Sequence, residues 1–147
     1  MAAFLRNAAC RLPAIVVGAF LLVSIGCSRG PTPMKVWGDV TYQGKPVEEG
    51  DIVFVSTGGP GRDAGATIAG GKYEVPRDIG PYADGSYRVE IKERRKTGKK
   101  LPHPFNPALG PVDEYVFPTP AKYGTRSALT IKVSSNSSEN KHDFHLK

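Results

Sequence analysis

The stretch that decides the fold reads Val36-Trp37-Gly38-Asp39-Val40-Thr41-Tyr42-Gln43-Gly44-Lys45-Pro46-Val47-Glu48-Glu49-Gly50-Asp51-Ile52-Val53-Phe54-Val55-Ser56. Its first part alternates, with Val36, Val40 and Tyr42 on one side, as in a half-buried β-strand. The continuous apolar run 52–55 predicts a strand covered on both faces, or one that passes through the middle of a sandwich. Gly44 and Pro46 favour a turn between the two runs. The stretch is therefore predicted to form an opening β-hairpin.

The composition indicates one domain without disulfides. The chain has 147 residues, 17 glycines, 13 prolines, two cysteines and a net charge of +6. This length allows a single domain, and its glycines and prolines favour short strands and many turns. Cys10 and Cys27 both lie in the first 27 residues, so no disulfide can form within the rest. The mild positive charge is too small to indicate a nucleic-acid partner.

The first 27 residues have the features of an export signal. Arg6 and Arg11 precede an apolar run over residues 14–23, which is followed by Ser24-Ile25-Gly26-Cys27. A permanent membrane helix is one alternative, but the run is shorter than the roughly 20 residues that such a helix needs. An ordinary secretory signal peptide is the other alternative, and its cleavage site requires no cysteine.

Gly26 and Cys27 resemble the lipobox of bacterial lipoproteins. In that class the cysteine thiol receives a diacylglyceryl group, and cleavage makes this cysteine the new N-terminus. The resemblance implies a signal peptide over residues 1–26, a lipid on Cys27, and an extended tether over residues 27–33. It places the protein on the periplasmic face of the cell envelope, and Ser28 slightly favours the outer membrane.

The remaining chain contains further strand patterns. Tyr87, Val89 and Ile91 alternate with charged residues and are predicted to face the core. Gly70-Gly71 separates two short apolar runs, which predicts a tight hairpin. Besides the opening stretch, strands are predicted at residues 66–69, 72–75, 86–92, 129–133 and 141–147.

These patterns resemble the transthyretin-like, carboxypeptidase-regulatory-like β-sandwich, and in particular short bacterial lipoproteins that carry one such domain. The resemblance implies an all-β fold, a single antiparallel sandwich of about seven strands over residues 34–147. Its motifs are turn glycines and core aromatics, so they concern the fold rather than the function. They lie at residues 38–47, Ile52 and Phe54, Gly71 and Tyr73, residues 85–91, Pro120 to Tyr123, Ser127 to Leu129 and Phe144 to Leu146.

A long insertion over residues 93–120 interrupts the strand pattern. Proline lacks the backbone N–H that a sheet ladder needs, so the insertion is predicted to be a Pro-rich basic loop without paired strands. A loop of this length in a compact domain is usually functional or disordered. Its prolines are Pro102, Pro104, Pro107, Pro111, Pro118 and Pro120.

Six cations at the start of this insertion are the candidate binding residues. Their charge suits the acidic groups of an envelope polymer or glycan, or an anionic lipid surface. The alternative is a solvated hairpin tip whose charge prevents aggregation. Phe105, Tyr115 and Phe117 either stack on a sugar ring or hold the loop against the domain. The six are Lys92, Arg94, Arg95, Lys96, Lys99 and Lys100.

The sequence predicts no catalytic, metal or cofactor site. His142 and His145 are three apart on a predicted strand and point to opposite faces, and His103 lies in the insertion. No cysteine follows Cys27, and no Gly-x-Ser-x-Gly motif occurs.

The predicted function is a non-enzymatic, lipid-anchored cell-envelope protein that acts as a structural or protein-interaction module. Its partners are the membrane, through the lipid on Cys27, and a second envelope protein or an acidic polymer. The alternative is a binding module for an acidic glycan that uses residues 92–120.

Overall fold

A computed structural model describes residues 30–147. The predicted signal peptide and Cys27 lie outside these residues. Ten strands and three short 3-10 turns make up the described part, so the all-β prediction is confirmed. The strands are β1 (Val36–Tyr42), β2 (Lys45–Pro46), β3 (Glu49–Gly58), β4 (Ala64–Ala69), β5 (Lys72–Val75), β6 (Ser86–Glu93), β7 (Arg95–Leu101), β8 (Val112–Val116), β9 (Thr130–Lys132) and β10 (Phe144–Leu146).

Eight of these strands form one curled sheet, called the body below. Its hydrogen-bonded order is β10, β1, β5, β4, β3, β6, β9, with β2 attached to β1. All neighbours are antiparallel except β1 and β10, which run parallel with Val40 opposite Phe144. The rings of Phe54 and Tyr73 approach to 5.9 Å although β4 lies between their strands, as expected where a sheet curls around its core.

The predicted opening hairpin is wrong in its pairing. β1 and β3 form where expected, but β4 and β5 lie between them in the sheet. The chain instead turns back directly after β1, so that Lys45 pairs with Tyr42 and Pro46 with Thr41. Gln43 and Gly44 both have positive φ, of 50° and 78°, which is the conformation of a tight two-residue hairpin turn.

One hydrophobic core lies inside the curl. Tyr87, Val89 and Ile91 are buried as predicted. The prediction that β3 is covered on both faces is wrong, because Val53 is 38% exposed while Ile52 and Phe54 are buried. The core residues all lie between residues 34 and 146: Met34, Val36, Val40, Val47, Ile52, Phe54, Ala64, Ile68, Tyr73, Val75, Ala83, Tyr87, Val89, Ile91, Val133, Phe144 and Leu146.

Gly38 allows the C-terminal segment to cross β1. A Cβ atom at this position would lie 1.9 Å from the carbonyl oxygen of His142, so only glycine leaves room for that backbone. The His142 carbonyl accepts a hydrogen bond from the Tyr73 hydroxyl at 2.8 Å, and the His142 amide donates to Trp37 at 2.8 Å. These contacts fix the segment that leads into β10.

Tyr87 joins three segments at one end of the body. Its buried hydroxyl accepts from the Tyr82 amide at 2.7 Å, and its single proton points toward the carbonyl oxygens of Tyr82 and Pro60, at 3.2 and 3.4 Å. The first contacts of the N-terminal segment lie nearby, where the Thr32 carbonyl accepts from Ala83 and Pro33 bridges Tyr82. This end is called the Pro33 end below.

The insertion leaves the body at the opposite end of β6. The Glu93 amide donates to Thr119 Oγ1 at 2.7 Å, so the insertion begins and ends at neighbouring points. β6 has eight residues, which separates this end from the Pro33 end by roughly 25 Å.

The prediction that the insertion contains no paired strand is wrong. β7 and β8 form an antiparallel two-stranded sheet, called the ribbon below, with Arg95 opposite Val116 and Leu101 opposite Val112. The six prolines lie outside both strands, between them or after β8. Because prolines are frequent over the insertion as a whole, sequence reasoning overlooked the two proline-free stretches that form β7 and β8.

Candidate functional site

The six candidate cations lie on the ribbon or at its base, which is the end that joins the body beside Glu93 and Thr119. Lys92 ends the exposed side of β6, Arg94 follows β6, and the other four lie on β7. All seven residues of β7 are exposed, and its strand pairs with β8 alone. The structure therefore brings the six together along β7 and at the point where the ribbon leaves the body.

Carboxylates face four of the six cations. Arg94 contacts Glu49 at 3.0 Å, and Arg95 contacts the buried Glu93 at 2.7 Å. Asp113 of β8 lies 3.0 Å from Lys96 and 2.5 Å from Lys100. These pairs reduce the positive field of the ribbon and leave Lys92 and Lys99 as the candidates without a recorded carboxylate contact in residues 30–147.

The shared carboxylate changes the ionisation of the ribbon. Hydrogen bonds from Lys100 and then Lys96 lower the pKa of Asp113 below 3.8, and Asp113 in turn raises the pKa of Lys96. Asp113 is therefore ionised, and Lys96 charged, throughout the neutral range. The ribbon therefore keeps both signs of charge along its length under these conditions, up to the Lys100–Asp113 pair beside the tip.

Two aromatic side chains at the base contact cations rather than a core. The Lys92 ammonium lies 4.2 Å from the centre of the Phe117 ring, and Arg94 and Lys96 each lie 5.8 Å from that of Tyr115. Cation–π attraction therefore stabilises the positions of both rings and their cations at the ribbon base.

Phe105 does not hold the ribbon against the body. It lies between the two strands at the ribbon tip, residues 101–111, and its side chain is 91% exposed. Its recorded ring contact is with His103, at 6.3 Å. Leu109 at the same tip is 69% exposed.

Sequence reasoning named Phe105 as a residue that stacks on a sugar or holds the loop, but it missed Leu101 and Leu109, the other exposed apolar residues of the tip. Leu101, Phe105 and Leu109 are separated by prolines and show no strand or helix period. The signal that could have found them is the presence of large apolar residues in a segment whose prolines prevent it from reaching a core.

A separate concavity of about 490 Å³ lies on the outer face of β1, β4 and β5, beside Trp37. Its charged groups pair with each other: Asp39 contacts Lys72 at 2.8 Å and Lys141 at 3.4 Å. The hydrogen bond from Lys72 is the main cause that lowers the pKa of Asp39.

The three histidines lie in separate places and make separate contacts. Burial lowers the pKa of His142, and His145 Nδ1 lies 2.9 Å from the Thr41 hydroxyl. His103 Nδ1 accepts from the Asn106 amide at 3.1 Å within the tip. Across residues 30–147, no three side chains of the His, Cys, Asp or Glu type are grouped as a metal site would require.

Comparisons with known proteins give no relative: no family model, curated protein or solved structure matches the chain. In the part of the chain that the structure describes, no helix has the length and apolar character needed to cross a bilayer.

Proposed function

We propose that this chain is a non-enzymatic, lipid-anchored protein of the bacterial cell envelope, a structural or interaction module whose contact element is the ribbon. One observation carries the proposal. Of the seven large apolar residues exposed in the described part, five lie on the insertion: Leu101, Phe105, Leu109, Val116 and Phe117. Exposed apolar groups concentrated on one projecting element are typical of an interaction site.

The finer fold assignment is part of this proposal. We infer that the body is a transthyretin-like β-sandwich. The residues that carry the resemblance have structural roles that support it: Gly44 forms the turn after β1, Gly38 admits the C-terminal segment, and Tyr73 and Tyr87 lie in the core.

The lipid anchor at Cys27 is proposed from the lipobox and from where the chain first contacts the body. Backbone bonds attach the chain to the body from Thr32 onward, where the predicted tether of residues 27–33 nears its end. The chain from Cys27 to Pro31 can extend at most roughly 18 Å. A lipid on Cys27 would therefore keep the Pro33 end close to the membrane and direct the far end of β6 away from it, unless the body lies flat on the surface.

The anchor is tested by the intact mass of the full chain expressed in a host that processes lipoproteins. We expect membrane-extracted protein to have the mass of residues 27–147 plus a diacylglyceryl group, with or without a further N-acyl chain. The matched Cys27→Ala chain should lack this modification and leave the membrane fraction, because two or more acyl chains give the stable attachment. An unmodified mass for the parent chain contradicts the anchor and leaves the proposal for the ribbon intact.

A second candidate function is binding of an acidic glycan or envelope polymer through residues 92–120. The ribbon favours it because β7 and Arg94 carry five cations while β8 carries only Asp113 and Glu114. Such binding should weaken steeply as salt screens the charges.

Lys99→Ser with Lys100→Ser is the cleanest test of the glycan function. We expect a polyanion such as alginate to bind at least tenfold more weakly to this double variant, since each lysine near an anionic surface contributes roughly fivefold. Lys132→Ser, an exposed change on β9, is the matched control. Arg95 is left intact because its removal would leave the buried Glu93 unpaired. Affinity that responds to neither salt nor the double variant excludes this function.

A further inference from the structure

The ribbon tip is small, convex and apolar at its outermost points. Phe105 and Leu109 are the most exposed large apolar side chains in the described part, and Leu101 is also exposed. A stable protein–protein contact usually involves roughly 20 to 30 residues on each side. The tip, residues 101–111, presents about half of that number. It therefore suits a lipid surface, whose molecules can rearrange around a small insertion, better than a flat protein surface.

The tip backbone is organised by its own side chains. His103 Nδ1 accepts from the amides of Phe105 and Asn106, and the Asn106 side chain caps the 3-10 turn Pro107–Leu109 by accepting from Ala108 at 2.9 Å. Four prolines in this segment have no amide to satisfy. These features lower the cost of moving the segment out of water, because few backbone donors are left without a partner.

Positive charge exceeds negative charge directly behind the tip. No acidic residue occurs from Arg94 to Val112. Lys99 and Lys100 follow the apolar tip on β7, and on β8 Asp113 lies opposite Lys100 and contacts it. Arg94 and the four cations of β7 outnumber the two carboxylates of β8, Asp113 and Glu114. An apolar tip followed by a predominantly cationic band matches the two layers of an anionic bilayer surface, acyl chains inside and phosphate groups outside.

We propose that the ribbon tip inserts into the interfacial layer of an anionic lipid bilayer. Phe105 and Leu109 enter the boundary between headgroups and acyl chains, while Lys99 and Lys100 contact lipid phosphates. This inference rests on the proposed role of the ribbon as the contact element and names its ligand. The tip lies at the other end of the body from Cys27, so in a membrane that also holds the Cys27 lipid the body must lie flat on the surface, and the test is therefore made without that lipid.

Vesicle sedimentation tests the proposal with residues 28–147, which contain every core residue and no acylation site. Cooperative thermal unfolding of this chain and of each variant serves as the folding control. The vesicles are phosphatidylcholine alone, or phosphatidylcholine with about one third phosphatidylglycerol. We expect binding to the anionic vesicles and at least tenfold weaker binding to the neutral ones.

Phe105→Ser with Leu109→Ser separates insertion from electrostatic attraction. Both side chains are exposed, so the body should remain folded, and we expect roughly tenfold or greater loss of vesicle binding. The matched control is Ile79→Ser, an exposed apolar residue outside the ribbon, which should leave binding unchanged. In a Phe105→Trp chain, the added fluorescence should shift to the blue and be quenched by lipids brominated on their acyl chains.

Three results would overturn the proposal. One is the absence of binding to anionic vesicles. Another is binding that the tip double variant does not weaken, which would assign the contact to charge alone and favour the glycan function. The third is added fluorescence in the bound Phe105→Trp chain that brominated lipids leave unquenched, which would place the tip in water or in contact with a protein. In each case the intact-mass result for Cys27 stands by itself.

Discussion

Gly38→Ala is expected to lower the free energy of unfolding by about 3 kcal/mol or more. The added Cβ would meet the His142 carbonyl at 1.9 Å, and ordinary contact requires more than 3 Å. The His142 backbone must therefore move by over 1 Å. That movement breaks its hydrogen bond with the buried Tyr73 hydroxyl and pulls β10 away from β1.

Urea unfolding measures this effect, with Gly58→Ala as the matched control. Gly58 also lies in a strand, at the end of β3, but nothing lies within 4 Å of a Cβ placed there. The control should change stability by less than about 1 kcal/mol. Hydrogen exchange should locate the damage in Gly38→Ala at β10, beginning with the Gln43 amide that donates to Leu146. Equal midpoints for the two variants would refute the close-approach role of Gly38.

Tyr87→Phe is expected to lower the free energy of unfolding by about 1–3 kcal/mol while the ring stays buried. The change removes one hydroxyl, which accepts from the Tyr82 amide and directs its single proton toward the Tyr82 and Pro60 carbonyl oxygens. The part-buried amide would lose its partner, and this penalty exceeds the value of an average exposed hydrogen bond.

Tyr42→Phe, which removes the same hydroxyl group at an exposed position, is the matched control for Tyr87→Phe. The Tyr42 hydroxyl accepts an exposed hydrogen bond from Gln43 at 3.3 Å, so Tyr42→Phe should be close to neutral. Amide exchange at Tyr82 should accelerate in Tyr87→Phe and stay slow in Tyr42→Phe. If both variants unfold at the parental midpoint, the Tyr87 hydroxyl does not organise the Pro33 end.

Local sequence patterns predicted the strands and turns of the body, but they did not predict which strands pair with each other. Alternation along β6 fixes which side chains face the core because a strand has a period of two. It carries no information on which strand lies alongside, and so the separation of β1 from β3 could not be read from residues 36–56. The parallel pairing of β10 depends on the space above Gly38, which becomes visible only when distant parts of the chain are in place.

The sequence predicted which charged residues make up the candidate site, but it did not predict the two-stranded ribbon that carries them. The six cations are adjacent in sequence and remain together on the ribbon. β7 shows no alternation because neither of its faces packs on the body, so periodicity could not reveal it. The carboxylates that face the cations come from separate segments, Glu49 on β3 and Asp113 on β8, and the exposure of Phe105 follows from the length of the ribbon.

The convergence of Glu93 and Thr119 makes the ribbon a replaceable part. Because both its ends attach at nearly one point on the body, its length and tip sequence can change without altering the path of any other strand. Chains that descend from this one can therefore acquire ribbons with different targets while they keep the same core and strand order. For protein engineers, the pair of residues marks a graft position at which a foreign hairpin can be presented on an intact core.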